Sequence, residues 1–303
     1  MKIKFFIKNL LKQITIKVFQ KERETELLAL GKILSNQQYQ ISSNNINDYE
    51  FKIFSQCGDD GIIQYLIKKL NIENKYFIEF GVGDFSESNC RFLMMNNNWS
   101  GFVMDASNTN IKKLKSESWF WKYNLLAKSK FVTRDNIDDI ISSIKEENIG
   151  LLHIDIDGND YHIFKEMNLK LLNPSIIIIE YNSLFGVVRA LTIPYRADFN
   201  RTKAHHSNLF FGASLKALNH AAENKGYSLI GTNITGNNAY FIRKDLLNKK
   251  IKSLDIKSAY HYSKFREGRD LKGLFSFKSE NERFKEIEGL QVKNVLTGEM
   301  ELL

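Results

Sequence analysis

Proline and cysteine are scarce in this chain. Only two of its 303 residues are proline, and only Cys57 and Cys90 are cysteine. So little proline argues against a long disordered linker, and two cysteines give neither a disulfide framework nor the spacing of a metal site. A reducing cytosol is the expected location. The apolar fraction of 43%, with 12% aromatic residues, is enough to support a core.

Long apolar runs are also missing. No uninterrupted stretch reaches the roughly 18 residues that predict a membrane-spanning helix. Residues 1–24 are basic and apolar at a helical interval, but they lack the long apolar core and cleavage site of a secretion signal. This segment predicts a helix that packs on the body or on a second subunit of a homodimer, or that makes peripheral contact with a membrane.

The excess of positive charge is moderate and spread out. The net charge of +8 is compatible with phosphate-bearing substrates and with anionic surfaces. No aromatic–basic motif of the usual nucleic-acid-binding kinds is present, so we expect no nucleic acid as a partner.

Residues 76–89 carry the most informative pattern. A short apolar run contains Glu79, the glycines Gly81 and Gly83 follow, and the segment then becomes helix-like. A strand, a glycine turn and a helix bring backbone close to a ligand and aim helix N–H groups at it. A second predicted strand, 101–105, ends in Asp105, at the spacing where an acid holds a ribose diol.

Two details of this pattern separate the candidate cofactors. A dinucleotide fingerprint needs a third glycine where this chain has Ser86, and it usually has an apolar residue at the position of Glu79. An acid there suits a cationic ligand end, such as the ammonium of a methionyl group. The pattern therefore resembles motif I of class I S-adenosylmethionine (SAM)-dependent methyltransferases. An NAD(P)-dependent oxidoreductase is the alternative enzyme, and a non-enzymatic membrane or assembly protein is the last option.

Strand and helix signals alternate from residue 51 onward, which predicts an α/β fold. Runs that are apolar on both faces imply a central parallel sheet covered by helices. Two further runs, joined by a turn-rich segment, predict an antiparallel hairpin at the sheet edge. The predicted strands are 76–80, 101–105, 130–133, 151–156, 175–181, 227–232 and 238–243.

These elements predict a doubly wound, Rossmann-like methyltransferase sheet. The methyltransferase domain is expected at 51–245, with an irregular insertion at 183–209 over the active site. A helical extension at 1–50 and a polar, basic extension at 246–303 flank it.

Several blocks of the chain resemble bacterial class I methyltransferases of the FkbM-like kind, many of them encoded with surface-glycan genes. The similarity covers about residues 54–243. The blocks are Phe54-Ser-Gln-Cys-Gly-Asp-Asp-Gly-Ile-Ile63, the motif I segment, Asp105, Asp155-Ile-Asp-Gly158 and Phe211-Gly-Ala-Ser-Leu215. The resemblance implies a SAM-dependent O-methyltransferase that acts on a sugar hydroxyl of a nucleotide-sugar or of a capsule or lipopolysaccharide precursor. Protein, lipid, nucleic-acid and other small-molecule acceptors stay open.

The resemblance also implies roles for individual cofactor-binding residues. Gly81 and Gly83 would pass beneath the methionine of SAM, Asp105 would hold the ribose, and Asn136 would lie near the adenine. The remaining predicted cofactor contacts are Ser55, Gln56, Glu79, Asn89 and Asp155.

Oxygen-bearing side chains follow the fourth and fifth predicted strands. Asp155 and Asp157 end one strand, and Glu180 and Asn182 end the next. Ligands in such sheets lie beyond the carboxyl ends of the strands, so these side chains should share one cleft. They could hold Mg²⁺ or a similar hard cation. Without a metal they would bind sugar hydroxyls or cap the next helix, and Asp155 would help to position SAM.

The insertion supplies the remaining predictions. SAM is already activated, so the enzyme must align an acceptor oxygen and remove or screen its proton. Histidine is the side chain best suited by its pKa to act as a base, which makes His206 the first candidate, with His205 and Asp157 as further catalytic candidates. Arginine binds phosphate in a bidentate manner. The predicted substrate-binding residues are Tyr195, Arg196 and Arg201.

Overall fold

The computed structural model describes residues 22–265 and 267–303. Most of the basic segment at 1–24 lies outside these residues, so its expected membrane or subunit contact stays a prediction. Among the described helices, none combines the length and the apolar character needed to cross a bilayer.

A seven-stranded sheet forms the centre of the fold. Its strands are β1 (Asn74–Phe80), β2 (Ser100–Asp105), β3 (Leu125–Ser129), β4 (Ile149–Ile154), β5 (Ile176–Glu180), β7 (Tyr227–Thr232) and β8 (Asn238–Arg243). They lie in the order β3-β2-β1-β4-β5-β8-β7. The first five are parallel, and β8 pairs antiparallel with both β5 and β7. This confirms the predicted mostly parallel, doubly wound sheet with an antiparallel hairpin at its edge.

Strand β5 shows why the centre of the sheet is buried. Its four consecutive isoleucines are β-branched, which suits the pleated backbone, and all are fully buried. Successive side chains of a strand point to opposite faces. Accordingly, Ile177 and Ile179 belong to the apolar core on one face, and Ile176 and Ile178 belong to the core on the other face.

Helices cover both faces of the sheet. Residues 22–37 form α1. The other helices are α2 (Asp59–Lys69), α3 (Arg91–Asn97), α4 (Asn108–Lys115), α5 (Ile137–Ser142), α6 (Asp160–Glu166), α7 (Leu169–Leu172), α8 (Arg201–Ala204), α9 (Leu215–Asn224), α10 (Ile256–Ala259) and α11 (Glu280–Ile287).

A small antiparallel sheet joins the insertion to the end of the chain. It contains β6 (Leu191–Thr192), β9 (Gln291–Asn294) and β10 (Met300–Leu302), with β9 in the middle. Leu191 of the insertion shares a separate apolar core with Ile287 and Val292. The segment after residue 246 therefore packs against the insertion.

The third strand of the large sheet lies earlier in the sequence than predicted. The sequence predicts a strand at 130–133, but β3 occupies Leu125–Ser129 and residues 130–133 form a loop. Because β3 lies at the sheet edge, Leu126 and Lys128 are exposed and only Leu125 and Ala127 are buried. An edge strand buried on one face has no continuous apolar run to mark it.

Candidate functional site

The glycine turn after β1 is pressed against the end of β4. Gly81 has a φ of +85°, and a Cβ atom at this position would lie 1.5 Å from the backbone oxygen of Asp155. Its N–H donates to the carbonyl of Met104 at 2.8 Å. Only glycine fits both the left-handed conformation and the close approach. The turn thereby brings the ends of β1, β2 and β4 together.

Asp105 joins the loops that follow β1 and β2. Its Oδ2 accepts from the N–H of Gly83 at 2.9 Å, and its Oδ1 accepts from the N–H of Ser107 at 2.7 Å. Hydrogen bonds to a carboxylate are stronger than those between neutral groups. The Asp105 side chain is therefore held in one orientation, at the edge of a cleft beyond the carboxyl ends of the strands.

A cleft with three lobes opens at the carboxyl ends of the strands. The large, middle and small lobes have volumes of about 620, 330 and 190 Å³, and Gly81 and Asp155 border all three. The lobes therefore meet at the glycine turn. Most of the predicted site residues border this cleft, namely Gln56, Glu79, Gly81, Gly83, Asn89, Asp105, Asp155, Asp157, Glu180, Asn182 and Arg201.

The large lobe combines an acid with apolar walls. Asp105 stands at one side, and Met104, Phe131 and Val132 supply apolar surface. Its opposite wall comes from α8, the preceding loop and the C-terminal segment; these residues are Phe199, Asn200, Arg201, Thr202, Glu267, Arg269 and Phe275. The sequence did not predict the C-terminal contribution.

The small lobe contains a buried ion pair. Glu79 accepts from the N–H of Asn89 at 3.0 Å and lies 2.9 Å from Nδ1 of His153. Burial lowers the pKa of His153, but the hydrogen bond and charge of Glu79 outweigh it, so the pKa is raised above 6.5. Burial raises the pKa of Glu79, and the contacts with His153 and Ser88 more than reverse this. His153 thus neutralises the acid that the sequence assigned to a ligand ammonium.

The partnership of Glu79 and His153 follows from strand pairing. The two residues face each other in the parallel register of β1 and β4. Each is a polar residue between apolar residues of its predicted strand. That shared irregularity is the signal that could have identified His153.

The middle lobe is mainly polar. Glu180, Ser183, Asn237 and Arg283 are among its lining residues. Two buried atoms, Oε2 of Glu180 and Nε of Arg283, have no hydrogen-bond partner among the described residues. Buried polar atoms normally have partners. Both residues border the middle lobe, so a polar molecule bound there is a candidate partner for these atoms.

Three carboxylates approach one another between the large and middle lobes. Asp155, Asp157 and Glu180 can each place one oxygen within 4.8 Å of the others. Burial, followed by the charge of Asp157, raises the pKa of Asp155 to about 7. Burial and the charge of Asp155 raise the pKa of Glu180 well above its usual value. The cluster therefore favours positive charge nearby.

Arg201 supplies such a charge. Its Nη1 donates to Oδ1 of Asp157 at 2.8 Å, and its Nη2 donates to Glu267. The guanidinium also lies 3.8 Å above the ring of Phe211. The residue predicted to bind substrate phosphate thus borders the cleft but already has two carboxylate partners.

Asn182 is occupied by its own turn. Its Oδ1 accepts from the N–H of Leu184 at 3.0 Å, and its Nδ2 donates to the carbonyls of Leu209 and Phe211. It borders the middle lobe. Its amide groups fix the loop rather than joining the three carboxylates.

Other predicted residues lie behind the cleft. Ser55 is fully buried and donates to Oδ2 of Asp60 at 2.8 Å. The Asp60 carboxylate also accepts from the N–H groups of residues 53–55, which holds the loop that carries Gln56. Asn136 donates to the carbonyl of Phe131 at 2.9 Å. Ser55 and Asn136 therefore position cleft residues and do not border the cleft themselves.

The predicted histidines and two substrate residues also lie outside the cleft lining. Nε2 of His206 is 3.2 Å from Oε2 of Glu286, and Nδ1 of His205 is 2.7 Å from Oγ of Ser207. The hydroxyl of Tyr195 accepts from the N–H of Arg134. Arg196 pairs with exposed Asp198. The structure does not bring these four residues together at the cleft. Their catalytic and substrate-binding roles therefore stay predictions.

Comparison with known proteins agrees with the fold and the predicted resemblance. Residues 45–199 match the sequence family described as the methyltransferase FkbM domain. No curated protein matches the chain.

Among solved structures, the O-methyltransferase from Bacillus cereus in complex with S-adenosylhomocysteine (SAH) is 13% identical, with a TM-score of 0.43 over 73% of this chain and 89% of that chain. Geranyl diphosphate methyltransferase in complex with SAM is 10% identical, with a TM-score of 0.35 over 56% of this chain and 65% of that chain. On the family match, the chain belongs to the FkbM methyltransferase domain family, for which SAM is the expected cofactor.

Proposed function

We propose that this protein is a SAM-dependent O-methyltransferase that transfers a methyl group to a sugar hydroxyl of a nucleotide-sugar or of a capsule or lipopolysaccharide precursor. The observation that carries this proposal is the meeting of three lobes at Gly81 and Asp155. A methyl donor with two arms needs two lobes, and its acceptor needs a third lobe that reaches the same point.

The shapes and charges of two lobes suit SAM. The adenosine would occupy the large lobe, where Asp105 faces the ribose and Phe131 and Val132 line the base. The methionine arm would enter the small lobe beside Asn89 and the Glu79–His153 pair. Bound SAM supplies an activated methyl group, and this arrangement would place it at the glycine turn.

The middle lobe suits a hydroxyl-rich acceptor. Its unpartnered atoms on Glu180 and Arg283 offer one acceptor and one donor of hydrogen bonds. A sugar hydroxyl both donates and accepts, so it can satisfy both. Hydrogen bonds from the polar groups of the lobe would hold one hydroxyl of the acceptor in line with the methyl group. Such alignment is the main requirement of the reaction.

The hydroxyl proton needs an acceptor or a nearby cation. Of the three predicted catalytic residues, Asp157 borders the large and middle lobes, whereas His205 and His206 do not. Asp157 is therefore the one we place closest to the acceptor. Arg201, bonded to it, contributes positive charge at the same point.

A divalent cation stays a separate proposal. Asp155, Asp157 and Glu180 provide the oxygen ligands that Mg²⁺ prefers. A cation there would lower the pKa of the acceptor hydroxyl. Arg201 is an alternative source of positive charge at this point. Two experiments distinguish the arginine from a bound cation. Sensitivity of turnover to EDTA, restored by Mg²⁺, would support the metal; full activity in EDTA together with loss in Arg201→Gln would support the arginine.

The direct test of the function is methyl transfer from isotopically labelled SAM to a panel of nucleotide-linked sugars. We expect one class of sugar to gain the mass of a methyl group as SAH forms. Asp105→Asn should reduce both signals in parallel, because both require the bound cofactor. Label found in protein, lipid or nucleic acid but in no sugar would overturn the sugar acceptor. Binding of NADH without binding of SAH would overturn the choice of cofactor.

A further inference from the structure

A second cavity lies at the opposite end of the sheet from the cleft. It has a volume of about 470 Å³ and is bordered by α1, the end of α2, the end of α3, the start of β1 and Trp99, which precedes β2. Strand β1 has seven residues, and a strand advances by about 3.3 Å per residue, so roughly 20 Å separates this cavity from the Gly81 turn. We call it the lysine cavity, because Lys32, Lys68 and Lys75 line it.

The lysine cavity has positive charge without a matching negative charge. Among the described residues that line it, none is aspartate or glutamate. The preceding residues 1–21 contain lysines at six positions and no acid, so that segment brings no counter-charge in its sequence. An uncompensated group of ammonium ions attracts an anion.

Lys68 is the most confined of the three lysines. It is half-buried, and its ammonium donates to the carbonyl of Ser35 and to Oε1 of Gln38, which are both neutral acceptors. Burial and the neighbouring charge of Lys69 lower the pKa of Lys68 to about 8. The side chain thus keeps a cation at the cavity wall with hydrogen bonds but no carboxylate, and an anion would supply the missing partner.

The other polar and aromatic groups of the lysine cavity suit a sugar ring. Asn36, Asn96 and Asn97 bring carboxamides to its wall, and carboxamides both donate to and accept from hydroxyl groups. Nδ2 of Asn96 donates to Gln64 and to Asn97, and Oδ1 of Asn97 also accepts from Gln64, so a ligand would bind to the remaining amide groups. Tyr39 is 70% exposed at the same wall, and the Lys68 ammonium lies over one face of its ring, 4.7 Å from the centroid. An exposed aromatic face packs against the apolar face of a ring while leaving polar edges free.

We propose that the lysine cavity binds an anionic saccharide, a sugar unit that carries a phosphate or a carboxylate. The lysines would hold the anionic group, the carboxamides would bind hydroxyls, and Tyr39 would cover one face of the ring. Lys32, Asn36 and Tyr39 lie before residue 45, where the family match begins. The site therefore combines α1 and the residues just after it with residues of the matched family domain.

The test is calorimetric titration of the full chain with glucose 1-phosphate, glucuronate, inorganic phosphate and glucose, with SAH present to fill the catalytic cleft. We expect glucose 1-phosphate or glucuronate to bind, and glucose not to bind. Lys68→Gln removes one charge-assisted contact and should weaken binding about tenfold or more. The double variant Lys32→Gln, Lys75→Gln, changed only at exposed side chains, tests the same site if Lys68→Gln is unstable. Lys122→Gln, an exposed lysine elsewhere, should bind as the wild type does.

Tyr39→Ala tests whether the ligand is a saccharide. It should weaken the binding of the anionic sugar by a larger factor than the binding of inorganic phosphate, which it affects only through the contact of Tyr39 with the Lys68 ammonium. Phosphate binding as tight as that of glucose 1-phosphate, with no effect of Tyr39→Ala, would overturn the saccharide assignment. Failure of every anionic probe to bind, or binding that both lysine variants retain, would overturn the site. Neither result depends on the identity of the methyl acceptor.

Discussion

The two ends of the central sheet differ in charge. At the carboxyl end, the three-lobed cleft is bordered by Glu79, Asp105, Asp155, Asp157 and Glu180. At the amino end, the lysine cavity has three lysines and no acid among its described lining residues. The net charge of +8 averages over both ends and predicts neither. The position of a charge on the fold therefore says more about its ligand than the total does.

The two ends also differ in how their charges are compensated. In the cleft, Glu79 is paired with His153 and Asp157 with Arg201. In the lysine cavity, the Lys68 ammonium donates to neutral acceptors and to no carboxylate among residues 22–265 and 267–303. A cationic cofactor such as SAM suits the acidic end, and an anion suits the basic end. The following predictions test the acidic end, beginning with the largest expected effect.

Gly81→Ala should disrupt the cleft most. The new Cβ would lie 1.5 Å from the backbone oxygen of Asp155, at a φ of +85°. Overpacking and strained backbone together should cost roughly 3 kcal/mol of unfolding free energy. Binding of SAH should weaken at least about a hundredfold, because the ends of β1 and β4 must separate. Urea unfolding and calorimetry with SAH measure the two effects.

Gly83→Ala is the matched control. Gly83 also has a positive φ, of +54°, but a Cβ there would meet nothing within 4 Å. It should cost only about 1 kcal/mol of strain. Equal losses in the two variants would show that backbone conformation alone, and not the contact with Asp155, defines the turn.

Asp105→Asn should have the next largest effect. The carboxylate accepts from the N–H groups of Gly83 and Ser107, and we expect it to hold the ribose. Loss of charge-assisted hydrogen bonds costs about 1.5–3 kcal/mol, or roughly a tenfold to hundredfold loss of SAH affinity. Asp245→Asn, a change at a carboxylate paired with Arg243 away from the cleft, is the control. Unchanged SAH affinity in Asp105→Asn would contradict the assignment of the large lobe.

His153→Gln should destabilise the fold in a pH-dependent manner. Because the pKa of His153 is raised above 6.5, its contribution is complete below pH 6.5 and is lost as the pH rises through the raised value. The pKa of Glu79 is lowered below 4.5, so its contribution is present above pH 4.5 and is lost as the pH falls through the lowered value. The cost of the variant, about 3 kcal/mol, should therefore be greatest between pH 4.5 and 6.5.

His162→Gln provides a control with the opposite sign. His162 is buried with Nε2 2.8 Å from the carbonyl of Ile193, and burial lowers its pKa to about 4. As the pH falls through 6.5, His162 therefore becomes protonated in the unfolded chain but stays neutral in the folded chain. The wild type should lose this part of its stability below pH 6.5, and His162→Gln should not. Parallel pH profiles for the two variants would refute the buried ion pair.

His206→Ala should have the smallest effect. Its imidazole contacts Glu286 rather than the cleft lining. Removal of a general base costs about a hundredfold or more, whereas we expect turnover to stay within about threefold of the wild type. A loss of turnover of about a hundredfold, with SAH binding retained, would identify His206 as the general base. Steady-state turnover at saturating SAM decides between these results.

Local patterns predicted the centre of the fold and the glycine turn. The isoleucine run of β5 and the alternation of strands and helices were enough for the parallel sheet, because buried strands are marked by continuous apolar residues. The small sheet was not predicted. Its strands have only two, four and three residues, and the pairing of β6 with β9 joins segments far apart in sequence.

The same distinction applies to the site. Gly81, Gly83 and Asp105 belong to one short motif, so their spacing carried the prediction. Ser55 was expected in the cofactor pocket, but a hydroxyl in a loop can equally bind its own backbone and neighbours, as Ser55 does with Asp60. The wall formed by Glu267, Arg269 and Phe275 depends on how the C-terminal segment folds back, which no local pattern reports.

A crystal structure of the complex with SAH tests the central claim most directly. We expect adenosine in the large lobe, with its ribose at Asp105. The homocysteine arm should lie in the small lobe beside Asn89 and His153, and the sulfur should lie at the Gly81 turn, facing the middle lobe. SAH bound with its homocysteine arm in the middle lobe, or outside the cleft, would contradict it, because the lobe assigned to the acceptor would then belong to the cofactor.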